Sequence, residues 1–256
     1  NEHVKFGPLL TRARALGATY MATGHYARIE DGALLRGVDP SKDQSYFLFA
    51  MGKDILADVR FPLGDWTKER VRAYAQARSM PNWDAPDSQE LCFVPDGDHG
   101  AVVERRAQAL GLGAASRAEG EVVDEDGRSL GTHKGIHRVT VGQRRGLGLS
   151  SPRPRYVLRV LPEARQVVVG DAEALARRVL DVADFRRLDD IKDDTPIPCA
   201  VQIRHRAPAQ PATLRVVGSR ATVEFDAPVR AVAPGQAAVA FAGDRVLGGG
   251  WIESAR

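Results

Sequence analysis

Few side chains in this chain could do chemistry. Cys92 stands in Asp87-Ser88-Gln89-Glu90-Leu91-Cys92-Phe93-Val94-Pro95, between stretches of different character. A thiol at such a junction could act as a nucleophile or carry sulfur. The competing reading is a buried structural cysteine, and Asp84, Asp87 and Glu90 oppose a thiolate unless a cation arrives from elsewhere in the fold. Cys199 follows Pro196-Ile197-Pro198 and reads as packing at a strand start, and nothing in the sequence supports a Cys92–Cys199 disulfide. His25 follows Gly24 at the end of an apolar run, where a histidine could touch a nucleotide or base, or could cap or pack. Asp39-Pro40-Ser41-Lys42-Asp43-Gln44-Ser45 is a polar loop that could bind RNA or act as a cap. Arg204-His205-Arg206 is a basic spot, or else a solvated strand end. His133 and His137 are separated by Gly135 with no third ligand nearby, so no metal site is expected.

Charge is distributed unevenly. The 36 Lys and Arg exceed the 33 Asp and Glu by only three. Yet Gly131–Val160 holds Lys134, Arg138, Arg144, Arg145, Arg153, Arg155 and Arg159 without one carboxylate. Within it, Thr140-Val141-Gly142-Gln143-Arg144-Arg145-Gly146-Leu147-Gly148 mixes glycine, amide and guanidinium. That texture is expected for phosphate binding, against the alternative of a solvated loop. Asp181–Asp194 reverses the sign and reads as an acidic linker. The composition is that of a folded chain and excludes disordered and collagen-like classes. No apolar run is long enough for a membrane helix. Two cysteines are too few for a disulfide scaffold, so a cytoplasmic setting is expected.

The elements that must position these residues follow from periodicity. Residues 3–16 are helical in spacing, with a start or bend at Pro8. Thr19–Thr23 reads as a buried strand ending at Gly24-His25, where open α/β sheets bind ligands. Tyr26–Ile29 and Ala33–Arg36 form a hairpin, Asp43–Met51 a helix, and Lys68–Ser79 a helix capped by Thr67. Helix and strand in alternation suggest the rear part of a doubly wound α/β domain, residues 1–95. A helix over Asp98–Leu110 and a hairpin of Arg155–Val160 with Gln166–Val169 belong to a small β-rich central domain, 96–170. Five short runs from Cys199 to Leu247 predict a closed or nearly closed β-barrel in a last domain, 171–256.

Five motifs occur in a fixed order: Ala22-Thr23-Gly24-His25-Tyr26-Ala27-Arg28, Ser41-Lys42-Asp43-Gln44-Ser45-Tyr46-Phe47-Leu48, Asp87–Phe93, Thr140–Gly148 and Pro234-Gly235-Gln236. On these the chain resembles the bacterial tRNA-specific 2-thiouridylases throughout its length. The resemblance implies an ATP-pyrophosphatase-type α/β domain, a small central domain and a C-terminal barrel. It implies ATP with magnesium as cofactor, no tightly bound metal, and adenylation of the C2 oxygen of the wobble uridine, which sulfur then replaces. Cys92 falls on the family's persulfide-bearing cysteine, and Gly24 on an ATP contact. His25, Lys42, Asp43, Gln44, Arg204, His205 and Gln236 fall on tRNA contacts, with His205 where a tyrosine is expected in relatives. The implied partners are tRNA and a sulfur-relay protein or cysteine desulfurase, with no membrane.

Two departures stand out. The family's phosphate-binding Ser-Gly-Gly-x-Asp-Ser loop does not occur in the sequence. The chain also begins directly after the position of the family's other catalytic cysteine, so it is expected to be an N-terminally shortened form, inactive alone. The alternatives are a non-catalytic RNA-binding protein that keeps the central and barrel domains, and a relative of the same α/β type that modifies another tRNA base.

Overall fold

The computed structural model describes residues 2–85, 98–112, 118–149, 151 and 153–256. The chain divides into two compact units: Asn1–Ala85 with Arg178–Ala227 and Pro234–Arg256, and Pro86–Arg177 with Pro228–Ala233.

The first unit is built on one sheet. Strands β9 (Arg177–Arg187), β10 (Ile197–Gln202), β11 (Gln210–Val217), β12 (Arg220–Val229), β13 (Ala237–Ala242) and β14 (Arg245–Ala255) lie in the order β13-β10-β11-β12-β9-β14. Pairing of β13 with β14 closes the six into a barrel. Closure leaves no unpaired edge among them. Along β11 and β12 burial alternates, with Ala212, Leu214, Val216, Ala221, Val223 and Phe225 inside. By contrast β13 and the first half of β14 are buried at nearly every residue. A strand without a polar face is covered on both sides, and the cover is the N-terminal part of the chain.

That cover begins with a π-helical stretch Glu2–Leu9 leading into α1 (Leu10–Ala15). The break expected near Pro8 falls there: the regular α-helix starts only at Leu10, after a π-helical stretch that contains Pro8, which cannot donate a backbone hydrogen bond. The expected strand over Thr19–Thr23 shrinks to β1 (Met21–Ala22), and Tyr20 is exposed. It pairs in parallel with β4 (Val59–Arg60). The hairpin β2 (Ala27–Glu30) and β3 (Ala33–Arg36) turns on Asp31 and Gly32, both at positive φ, as a two-residue primed turn requires. Leu35 of β3 pairs with Arg245 of β14, so the hairpin extends the barrel sheet. The helix expected over Asp43–Met51 is only a 3-10 turn, Ser45–Leu48, because the Asp43 side chain captures the local amides. Helix α2 (Lys68–Ala77) starts at Thr67, whose hydroxyl accepts from the Arg70 amide as expected.

One apolar core unites this cover with the barrel. It holds Met21, Leu34, Tyr46, Leu48, Phe49, Met51, Leu56, Val59 and Phe61 together with Leu188, Val239, Phe241 and Val246.

The stretch expected to be an acidic linker is half strand. In β9, Leu180, Val182 and Phe185 point inward while Asp181 and Arg186 alternate outward. Its carboxylates pair locally: Asp181 with Arg256 and Ser254, Asp189 with Arg245, Asp190 with Lys53, Asp193 with Arg187 and Asp194 with Arg215. Net charge had masked a strand whose buried face shifts by one residue at Asp184, which takes φ 49°.

The second unit is a four-stranded sheet of β5 (Gly120–Val123), β6 (Ser129–His133), β7 (Tyr156–Leu161) and β8 (Gln166–Gly170), ordered β6-β5-β8-β7. The expected β7–β8 hairpin is antiparallel, whereas β5 and β8 run parallel. Val122, Val157, Val167 and Val169 form its core. Helix α3 (His99–Ala109) is capped by Asp98, which accepts from the Ala101 amide. Among the described residues no helix is long and apolar enough to cross a membrane.

Gly249 lets the cover approach β14, while Gly248 and Gly250 lie against Val182, Ala183, Phe185 and Arg186 of β9. A Cβ on Gly249 would lie 2.8 Å from Cγ of Phe49 and 3.0 Å from the Ala238 carbonyl oxygen. Gly249→Ala should therefore destabilise the fold by about 1–3 kcal/mol. Denaturant unfolding reads this directly, and an unchanged midpoint would mean that Phe49 moves aside freely.

Candidate nucleic-acid interface

The polar loop 39–45 is organised by two aspartates. Asp39 Oδ1 accepts from the amide and hydroxyl of Ser41, and Oδ2 accepts from the Lys68 amide at 2.9 Å. The Lys68 amide bond, with the Ser41 hydroxyl, holds this carboxyl below its usual pKa. Asp39 thereby ties the loop to the start of α2.

Asp43 does the same on the barrel side. Its Oδ1 accepts from the amides of Gly37 and Ser45, both at 3.0 Å. Its Oδ2 accepts from the Ser45 hydroxyl at 2.9 Å and from Arg36 at 2.8 Å. Both oxygens are engaged within the protein, so Asp43 shapes the loop. Gln44 is likewise committed, its amide donating to the Tyr26 carbonyl and its Oε1 accepting from the Tyr26 amide. This double bond clamps the 42–44 loop to the residue after His25. Lys42 sits half-buried beside them.

Arg36 carries the loop across to the barrel. Its guanidinium lies 3.6 Å from the centre of the Phe241 ring and donates to Oε1 of buried Gln202 at 3.4 Å. Gln202 in turn donates to the carbonyls of Arg204 and His205, at 3.0 and 2.7 Å. The basic spot after β10 is thus positioned by the same network. Above it the His205 ring lies 4.3 Å from Phe47 and 6.2 Å from Tyr46. Tyr46 donates to the Ala237 carbonyl at 3.0 Å, and burial pushes its phenol up to about 12. Gln236, the neighbour of Ala237, has an exposed side chain while its carbonyl accepts from Ile252.

His25 occupies the other end. It is 8% exposed, its Nδ1 lies 2.7 Å from the Thr23 hydroxyl, and its ring packs between Phe6 and Phe61. Gly24 precedes it at the carboxyl end of the parallel pair. Packing does not demand a glycine there, since a Cβ would meet Leu63 at an ordinary 3.6 Å.

The structure joins Asp43 through Arg36 and Gln202 to Arg204 and His205, and ties Gln44 to Tyr26, the residue after Gly24-His25, while Gln236 adjoins the Ala237 carbonyl that Tyr46 bonds. Cys92 lies outside the described residues. Sequence reasoning passed over Arg36, Tyr46, Phe47 and Gln202. Phe47 carried one available signal: an aromatic residue directly after a polar loop, which in the fold is 43% exposed. A half-exposed aromatic pair beside Arg204 and Arg206 can stack an unpaired base while the guanidinium groups hold phosphate. Cys199 is a half-buried free thiol whose burial pushes its pKa up to about 11, which suits packing. His133 and His137 go separate ways, the first to the Arg165 carbonyl and Gly135 amide, the second to Glu104.

Three family models match the chain. Residues 1–96 match a tRNA methyl transferase HUP domain, 113–171 a tRNA methyl transferase PRC-barrel domain, and 177–252 an aminomethyltransferase beta-barrel domain. Whole-chain relatives carry a different activity in their names. The chain is 46% identical over 258 residues to the tRNA-specific 2-thiouridylase MnmA of Acidithiobacillus ferrooxidans, covering 99% of this chain and 72% of that protein. It is 47% identical over 261 residues to the protein of the same name from Geobacter metallireducens, covering 100% and 69%. For the one from Solibacter usitatus the values are 45% over 263 residues, 99% and 71%. The former descriptions identify types of domain; the latter span the chain, and they decide the family. The α/β, central and barrel architecture is accordingly that of a HUP domain, a PRC-barrel and a C-terminal barrel.

Two outcomes test this geometry. Asp43→Asn turns an amide toward Arg36 and should cost about 2 kcal/mol of stability, read by denaturant unfolding. His205 has its pKa lowered from the usual 6.5, chiefly by burial and then by Arg206, with Asp43 opposing. The unfolded chain then takes up the proton first, so this residue subtracts stability as the pH falls below about 6.5. Ring titration by NMR should place its midpoint below 6.5, and a midpoint at or above that value contradicts the packing described.

Proposed function

The chain belongs to the tRNA-specific 2-thiouridylase family, and from that premise we propose that it serves the ATP-dependent 2-thiolation of the wobble uridine of tRNA. The observation that carries this reading is the approach of Phe47 to His205, 4.3 Å between ring centres, at the meeting of the 42–44 loop with the basic end of β10. Relatives are named tRNA-specific 2-thiouridylases, and the surface has stacking and phosphate-holding groups that suit an anticodon loop.

Roles follow from position. Arg204 and exposed Lys or Arg neighbours contact backbone phosphate. His205, neutral near pH 7 because its pKa is lowered, and Phe47 stack on an unpaired base. Lys42 and Gln236 contact the RNA beside them. Asp43 and Gln44 are positioning residues, since their polar atoms already hold the loop. His25, the most enclosed, contacts the substrate at the inner end, next to Gly24 on the nucleotide side. ATP, with magnesium, supplies the adenylyl group that makes the C2 oxygen of uridine a leaving group. Cys92, as a persulfide loaded by a sulfur-relay protein or cysteine desulfurase, would present its outer sulfur to C2 as AMP leaves, and a second thiol would close a disulfide on the Cys92 sulfur, supplying the two electrons that break the S–S bond. In this reading residues 1–95 are the catalytic domain, 96–170 the central domain and 171–256 the tRNA-binding barrel.

Mass analysis of wobble uridines from a strain lacking the gene should show loss of 2-thiouridine, and its persistence would exclude the reading. Restoring the gene with Cys92→Ser should not recover the modification. If that variant restored it fully, the chain would be a non-catalytic RNA-binding protein. Phe47→Ala should weaken tRNA binding about tenfold, as loss of one stacked base does.

A further inference from the structure

We propose that the second unit holds a backbone phosphate of the tRNA in a cleft of about 400 Å³ formed by Arg144, Arg153 and Arg155. This deepens the function proposed above and rests on it. It assigns a second grip on the substrate, separate from the Phe47–His205 surface.

The basic window does not act as a whole. Arg138 is spent on Glu104 at 2.7 Å and Asp98 at 3.2 Å. Arg144 and Arg153 are exposed, with no ion pair among the described residues. Arg155 has one long contact, 3.4 Å to Asp171, and its buried Nε has no hydrogen-bond partner. An orphaned buried donor is costly unless a ligand or water completes it. No carboxylate lines the cleft.

The loop that carries these groups is pre-shaped. Gln143 Oε1 accepts from the Thr140 amide and its Nε2 donates to the Arg145 carbonyl at 2.8 Å. Leu147 and Leu149 anchor it to the core of the unit. Gly146 and Gly148 take φ of 75° and 65°, a region that favours glycine, so the wall curls without strain. Arg144 and Arg153 without an ion pair among the described residues, and Arg155 with one long contact to Asp171, fit a phosphate, and the volume leaves room for a sugar on either side. RNA supplies such a group as a phosphodiester and ATP supplies it as a free nucleotide; we assign it to RNA, because three separate cations along an open wall suit an extended backbone.

The test compares the full chain with its triple variant Arg144→Gln/Arg153→Gln/Arg155→Gln, titrated with tRNA at several salt concentrations. Affinity should fall about tenfold and the salt slope by about 2, with Arg159→Gln on β7 as an outside control that stays near the parent value. Unchanged affinity and slope, or an equal fall for Arg159→Gln, overturns the proposal. If the triple variant unfolds early in thermal melts, Arg144→Gln and Arg153→Gln singly should each weaken binding about threefold and lower the slope by about 1, and no change in either overturns it. A loss of ATP binding with tRNA affinity retained assigns the cleft to the nucleotide and also overturns it. If Arg204→Gln weakens tRNA binding while the triple variant does not, the cleft assignment alone fails. If the parent chain binds no tRNA, the function proposed above fails with it.

Discussion

The first unit depends on the burial of one apolar surface shared by the N-terminal cover and the barrel. Phe49, Leu48 and Tyr46 belong to the same core as Val239, Phe241 and Val246. Buried apolar area at this scale outweighs any single polar contact in the unit. The close approach is possible because β14 presents Gly249 to Phe49. Without it, β13 would expose a strand of Ala, Val and Phe on the side away from the barrel interior. The loop 39–45 and the basic end of β10 are distant in sequence, and this core is what brings them together.

On that apolar base, polar groups act as locators. Asp39 and Asp43 each fill their acceptor positions with local amides and hydroxyls, and each reaches one partner further off, Lys68 and Arg36 respectively. Arg36 then links Asp43 to Phe241 and Gln202, and Gln202 sets the carbonyls of Arg204 and His205. A chain of satisfied hydrogen bonds of this kind holds groups in place more than it adds stability. The same economy applies in the second unit, where Glu104 removes Arg138 from the basic window and leaves Arg144, Arg153 and Arg155 to face one cleft.

Much of the fold was legible locally. The Asp31-Gly32 turn, the Thr67 and Asp98 caps and the β7–β8 hairpin depend on neighbours in sequence, and each forms as their residues dictate. Local signals failed where two demands overlapped. Asp43 is both a loop acceptor and the first residue of an apolar run, and the side chain won over the helix. Six aspartates between 181 and 194, two of them in β9, hid the buried Leu180, Val182 and Phe185 of that strand. Charge sums over a window cannot distinguish a solvated linker from the outer face of a strand.

The sequence by itself determined the residue types of the site, their order along the chain and the family they belong to, because motifs are local and survive as text. It could not decide which of them meet. Phe47 and His205 are 158 residues apart in sequence, and their stacking exists only because the closed barrel and its cover share one core. Nor could it sort seven like charges into one spent on α3 and three gathered at a cleft. Those outcomes rest on burial and on which partner lies within hydrogen-bond reach, and both are properties of the packed chain.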